Sequence, residues 1–335
     1  MKLPTPRFRL PVDGYMLLLI AMVVIAAILP ARGVGAVVVG YATYLAIALL
    51  FFLYGARLLP QAIVAGITHW RLQGLVFLST YLMFPVLGLL ITALFHAWLA
   101  PDLAIGLMFV AVLPSTVQSS IAFTSIARGN VPAALCSASI SNLSGIIVTP
   151  LLVAFLIARS GGGFSLEALK DIALQLLLPF ALGQLVRPFI GKWLNAHKKL
   201  TSFVDRGSIL LIVYSAFSAG MVAGVWSQLS WENLLLVVVL DGLLLVLALG
   251  ITTFASRRLG FSKEDEIAIV FCGSKKSMAS GIPMANILFA GQAVSLIVLP
   301  LMLFHQIQLM ACAAIARRYA ARAEEPVAAT AAAGG

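Results

Sequence analysis

The sequence predicts an all-α polytopic membrane protein of ten transmembrane helices, arranged as two inverted five-helix repeats. Three observations predict it. Hydrophobic residues make up 61% of the 335 residues, charged residues only 10%, and mean hydropathy is +1.06. No soluble core of this size needs so much apolar sequence, whereas repeated apolar runs near 20 residues fit membrane-spanning helices. Two of those runs are interrupted by polar and helix-breaking residues at matching places along the chain. Lysine and arginine fall mainly on alternate loops between the runs rather than in one basic patch. The net charge of +10 therefore reads as membrane topology, with the lipid bilayer as partner and no nucleic acid.

Residues 1–12 form a basic lead with Lys2, Arg7 and Arg9, expected on the cytoplasmic side. The first apolar run after it resembles a signal peptide in its flanks, but it is long and many more runs follow, so it reads as the first span. The ten spans are expected at roughly 13–30, 36–56, 72–98, 103–128, 131–158, 166–190, 204–226, 232–256, 264–290 and 292–316. Seventeen of the 22 lysines and arginines then lie on the side that holds both termini. The other side holds Arg32, Arg159 and Lys170. That asymmetry places both termini in the cytoplasm and the chain in the cell membrane. The tail 320–335 is small and low in complexity and is expected to be disordered.

The chain divides near Gly161-Gly162-Gly163 into a first repeat, 13–160, and a second, 161–319. The fourth span of the first is broken at Leu113 to Ser120, and the fourth span of the second at Gly273 to Pro283. A long span with a proline follows each, Pro150 in one case and Pro300 in the other. Five spans is an odd number, so the second copy enters the membrane inverted. Paired broken segments of this kind mark a transport site at the repeat interface. Non-helical backbone at that depth must be buried in protein or line a wet cavity.

The residues at the breaks have usable chemistry. The first break offers Ser115, Thr116, Gln118, Ser119 and Ser120; the span after it adds Ser137, Ser139, Ser141 and Asn142 along one stripe. The second offers Ser274, Lys275, Lys276 and Ser277. A half-helix N-terminus suits an anion, and unwound carbonyls suit a cation. Small polar residues also serve simply to hold membrane helices together. The two lysines are harder to dismiss, because a charge at mid-bilayer costs roughly 2.5–3.5 kcal/mol on insertion scales. Snorkelling to the interface or structural binding to carbonyls remains open for both.

At these residues the chain resembles the bile acid:sodium symporter family, in its divergent SBF-like branch. The segments LPSTVQSSIAFTSIARGN, SASISNLSGIIVTPLL and FCGSKKSMASGIPMA carry the resemblance, which spans about Pro11 to Ala316. It implies a panel domain and a core domain, with spans 4 and 9 as crossed broken helices, and secondary transport of a small organic anion by alternating access. Sodium-coupled members carry a run similar to EVGMQN in the ninth helix. Matched on Gly273, its glutamate falls at Phe271, its glutamine at Lys275 and its asparagine at Lys276. The fourth-helix run similar to PGGTASN reads here from Pro114 to Ser120. The carboxylate is gone and two ammonium groups stand nearby, which repel a hard cation. A lysine, with Lys275 at a ligand position, is expected to take the place of a sodium ion, or alternatively to carry a proton. The coupling ion thus stays open between sodium, H+ and none, and no other cofactor is expected.

Asp241 lies in the middle of span 8, where a salt bridge to Lys275 or Lys276 is the first expectation and the roles of proton carrier or protonated helix contact stay open. Walls of the substrate pocket are expected from side chains such as Tyr44 and Phe84. His96 reads as an interfacial anchor, and His305 has no companion at metal-ligand spacing, so no metal site is expected. Cys136, Cys272 and Cys312 all sit in apolar runs and give no disulfide framework. No motif for nucleophilic, phosphoryl or paired-carboxylate chemistry is present, which argues against an enzyme. Two competitors share these features: a cation/proton antiporter, which suits buried Lys–Asp pairs, and a membrane regulator that keeps the fold without transport.

Overall fold

A computed structural model of the chain describes residues 14–57, 69–157, 173–224, 227 and 229–321. The basic lead, the division at Gly161 to Gly163, Arg159, Lys170 and the tail from residue 322 lie outside the described residues. Among the described residues all regular structure is helical. In order these are α1 (Gly14–Ile28), α2 (Val34–Arg57), α3 (Trp70–Phe95), α4 (Pro101–Val112), α5 (Gln118–Ile126) and α6 (Val131–Ile157). They continue as α7 (Leu178–Ala196), α8 (Lys198–Val222), α9 (Trp231–Arg258), α10 (Lys263–Gly273), α11 (Met278–Leu288) and α12 (Val294–Ala320). Seven of them, α2, α3, α6, α7, α8, α9 and α12, are long and apolar enough to cross a membrane. Large apolar side chains stay on the outside, among them Phe189 and Trp231, each 84% exposed. Lipid tails, not water, are the natural cover for such a surface.

The runs expected at 103–128 and 264–290 are not continuous helices. Each is a pair of short helices, α4 with α5 and α10 with α11. The first breaks because Pro114 has no N–H to continue the ladder and pushes Leu113 into an extended conformation (φ −72°, ψ 156°). The second break holds no proline. There the Lys276 N–H leaves the helix for Gln308 Oε1 at 2.9 Å, and the Ser277 N–H goes to the Pro114 carbonyl at 2.8 Å. The second break is also shorter than the residues imply, running only over 274–277, because Gly281 and Pro283 lie inside α11. Gly281 serves packing: a Cβ there would stand 2.5 Å from Leu113 Cδ1 and 2.6 Å from Leu301 Cδ2.

Two further features position the site. In α3 the chain widens into a π turn over Ser79–Met83, just before Pro85. The Phe84 N–H bonds the Ser79 carbonyl five residues back, and Pro85 has no N–H to give. The Thr80 carbonyl is left without a helical donor. On the other side of the molecule α2 and α7 meet backbone to backbone, since a Cβ on Gly55 or on Gly183 would lie 2.1 Å from the carbonyl oxygen of Phe180 or Phe52. This pair and α8 form the wall that faces the two breaks.

Candidate functional site

The two breaks meet, and each closes the other. A helix C-terminus leaves carbonyls without N–H partners, and inside a membrane each must find another donor. At the end of α10, the Ser115 hydroxyl donates to the Cys272 carbonyl at 2.6 Å and the Ser120 hydroxyl to the Phe271 carbonyl at 2.9 Å. At the end of α4, the Thr149 hydroxyl donates to the Val112 carbonyl at 2.9 Å. The Lys276 ammonium donates to the carbonyls of Ala111 at 2.8 Å and Leu113 at 2.7 Å. Its third hydrogen bond, 2.9 Å, goes to the Thr80 carbonyl that Pro85 sets free. The ring of Phe84 covers the ammonium, with Nζ 4.1 Å from its centroid. Three acceptors, a helix C-terminal dipole and an aromatic face make this a complete cation site whose cation is part of the chain.

Lys275 is different, though it is just as buried. Its Nζ has no hydrogen-bond partner and stands 4.2 Å from the Phe123 ring centroid and 5.2 Å from that of Phe271. Gln308 braces the backbone between the two roles: its amide accepts from the Lys276 N–H and donates to the Lys276 carbonyl, both at 2.9 Å. The same amide nitrogen stands 2.8 Å from His305 Nδ1.

The serine stripe of α6 ties this junction to its neighbours. The Ser115 N–H donates to Ser141 Oγ at 2.9 Å, and Asn142 Nδ2 donates to the Ser115 carbonyl at 2.6 Å. Asn142 Oδ1 in turn accepts from the Ser280 hydroxyl at 2.8 Å. Ser274 turns back on its own helix and donates to the Val270 carbonyl at 2.5 Å.

A cavity of about 620 Å3 lies between the breaks and the wall of α2, α7 and α8. Thr116, Gln118, Ser119, Ser139, Asn142 and Ser277 line it. Ser115, Ser120, Ser141, Ser274, Lys275 and Lys276 sit behind it, buried in the junction. The N-termini of α5 and α11 therefore face the cavity, while the C-termini of α4 and α10 are turned away and closed. The N-cap of α5, Val117, supplies no side-chain oxygen, so its first-turn N–H groups are uncapped. Aromatic walls come from Phe51, Tyr54 and Phe180. Of the side chains expected there, Phe84 packs on Lys276 instead and Tyr44 is exposed.

Several cavity residues carry no local signal in the sequence. Chief among them is the group Arg57, Asp205 and Arg206. Arg57 ends α2, while Asp205 and Arg206 lie in the third turn of α8; in the sequence they read as ordinary loop charges, and only the packing of α2 on α8 brings them together. Arg57 Nη1 bonds Asp205 Oδ2 at 2.5 Å.

The expected pairing of Asp241 with a site lysine is not made. Both Asp241 carboxylate oxygens are buried without a hydrogen-bond partner. Neither ammonium comes within ion-pair distance of it: Lys276 reaches back into the break to three carbonyls, and Lys275 turns in among aromatic rings. Among the described residues no group of three or more His, Cys, Asp or Glu side chains is placed to hold a metal. Cys136, Cys272 and Cys312 are free thiols.

Comparison with known proteins gives the family. The family model described as the SBF-like CPA transporter family matches residues 13–321. The chain is 55% identical to an uncharacterized protein of Pseudomonas aeruginosa, over 97% of this chain and 98% of that one. It is 51% identical to "Putative symporter YfeH" of Escherichia coli, over 95% and 96% of the two chains. It is 29% identical to "Sodium/bile acid cotransporter 7" of Rattus norvegicus, over 80% of each. The resemblance read from the residues around Pro114 and Gly273 is thereby borne out, and the function class is transport across a membrane. The chain belongs to the SBF-like CPA transporter family.

Proposed function

We propose that the protein is a secondary transporter that moves a small organic anion by alternating access, without sodium as its coupling ion. The seven long helices, α1 and the two broken pairs together make ten spans, in two inverted repeats of five. Both termini are then cytoplasmic, and the multi-pass chain sits in the plasma membrane. The observation that carries the reading is the polarity of the junction. Two half-helix N-termini face the cavity and favour negative charge, while the C-terminal ends, where a cation would bind, are closed by hydroxyls and by the Lys276 ammonium. Lys276, not Lys275, is the residue that takes the place of a bound cation. The name of the rat relative points to bile acids as a first anion class to test. Cavity residues Arg57, at the end of α2, and Ser202 and Arg206, in the first three turns of α8, lie towards the side expected to be cytoplasmic, and Arg206 is exposed, which supports an inward-facing conformation.

The test is exchange of labelled cholate and taurocholate in proteoliposomes, in sodium and in choline media. Accelerated exchange of either anion, equal in the two media, is expected. A second reading, cation/proton antiport, draws on the buried and unpartnered Asp241 and Lys275. Proton efflux driven by a sodium or potassium gradient, with no anion exchange, would replace the first reading by the second. Absence of both would leave a membrane regulator.

A further inference from the structure

The charge that recognises the anion need not be either of the buried lysines. Lys276 is fully used by three carbonyls, and Lys275 lies against the Phe123 ring and does not line the cavity. The cations that do line the cavity are Arg57 and Arg206, on the wall opposite the breaks. Arg57 closes α2, and its guanidinium is only partly used. Nη1 holds Asp205, but Nε and Nη2 are shut off from solvent and have no hydrogen-bond partner among the described residues. Together they form the edge that grips a carboxylate or sulfonate with two parallel hydrogen bonds once the guanidinium turns it from its closed position towards the cavity. Leaving such donors desolvated and unpaired is a standing cost that an incoming anion removes. Asp205 Oδ1 is unpartnered as well, so a single contact holds the ion pair and is all that a turn of the guanidinium has to break.

Resting on the organic-anion reading, we infer that Arg57 is the anion-recognising residue of the cavity and that Asp205 is its counter-ion when no substrate is present. The substrate class is an amphipathic molecule with one carboxylate or sulfonate head. Its head lies against Arg57 at the helix-end side, its apolar body against Phe51, Phe180 and Ile146, and its polar groups against Gln118, Asn142 and Ser280. A cavity of about 620 Å3 is ample for such a molecule, within the roughly 300–1,000 Å3 of small-molecule sites. Arg206, whose guanidinium lies 5.2 Å from the Tyr15 ring centroid at the exposed end, adds positive potential that draws anions in.

The test uses the purified full-length chain and reads stabilisation by cholate, by taurocholate and by the uncharged methyl ester of cholate. For the wild type, saturable stabilisation by the two anions is expected at concentrations about tenfold lower than for the ester. Arg57→Gln alone strands Asp205, so the neutral pair R57Q/D205N is the main variant. It should weaken cholate about tenfold and bring cholate and its ester to near equality. Arg57→Lys keeps the charge and the ion pair but loses the two-pronged edge, and should bind cholate with intermediate strength. Cholate binding by both variants as tight as in the wild type, with the ester still discriminated, overturns the role of Arg57 and leaves the organic-anion reading standing. Failure of both anions to stabilise the wild type overturns the role of Arg57 and counts against the organic-anion reading for this class of substrate.

Discussion

The two broken helix pairs do the same architectural job with opposite materials. The first break, 113–117, is made by a proline and carries only neutral groups: hydroxyls and freed carbonyls. The second, 274–277, has no proline and carries two lysines; its backbone is held open by Gln308 and by the Pro114 carbonyl. Each supplies what the other lacks. Hydroxyls of the first satisfy the carbonyl end of α10, and an ammonium of the second satisfies the carbonyl end of α4. A break built from neutral groups alone would need an outside cation for the α4 end, where carbonyls of two different helices converge. Here the cation arrives on a tether.

That contrast sets the order of mutational effects. Lys276→Met keeps the length of the side chain and removes three hydrogen bonds at once. Each stranded carbonyl costs about 1–3 kcal/mol, so the variant should lose most of its folded, monodisperse yield in detergent. A variant that purifies and melts like the wild type would remove the tethered-cation idea. Next come the hydroxyls. Ser115→Ala and Ser120→Ala should each lower stability by about 1 kcal/mol, read as melting temperature, and the double variant by the sum or slightly more, because both serve the end of α10. Equal losses from these serines and from Lys276 would erase the asymmetry between the breaks.

Lys275→Met should have the smallest effect on stability, with a sign opposite to its neighbour's or no effect at all. An ammonium without an acceptor in the membrane interior is a burden, so an apolar side chain of similar length should leave the melting temperature unchanged or raise it. A loss as large as that from Lys276→Met would show that the aromatic contacts to Phe123 and Phe271 hold the charge better than their distances imply.

The places of the two breaks were legible in the sequence because proline, glycine and charge at membrane depth are all locally improbable. Their chemistry was less so. Gly281 and Pro283 read as breakers but lie inside α11, since a glycine wanted for packing against Leu113 and Leu301 looks the same as one wanted for a turn. Lys275 aligned with a ligand position, yet Lys276 meets the carbonyls; the direction of a side chain leaving an irregular backbone has no period to read. The part of Thr80 depends on a π turn forced by Pro85 in another helix, and the pairing of Arg57 with Asp205 joins residues 148 apart. Asp241 shows the limit from the other side: sequence marks a buried charge reliably but does not say what it faces.

The central claim, that Lys276 has replaced an ion, is tested most directly by melting the purified wild-type protein while sodium is titrated against choline at fixed ionic strength and at two pH values. A ligand that binds only the folded form raises its apparent stability. With the carbonyl end of α4 already occupied, no sodium-specific rise is expected at either pH. A saturable rise in sodium alone would mean that an ion site survives beside the ammonium, and that the tethered cation is not its substitute.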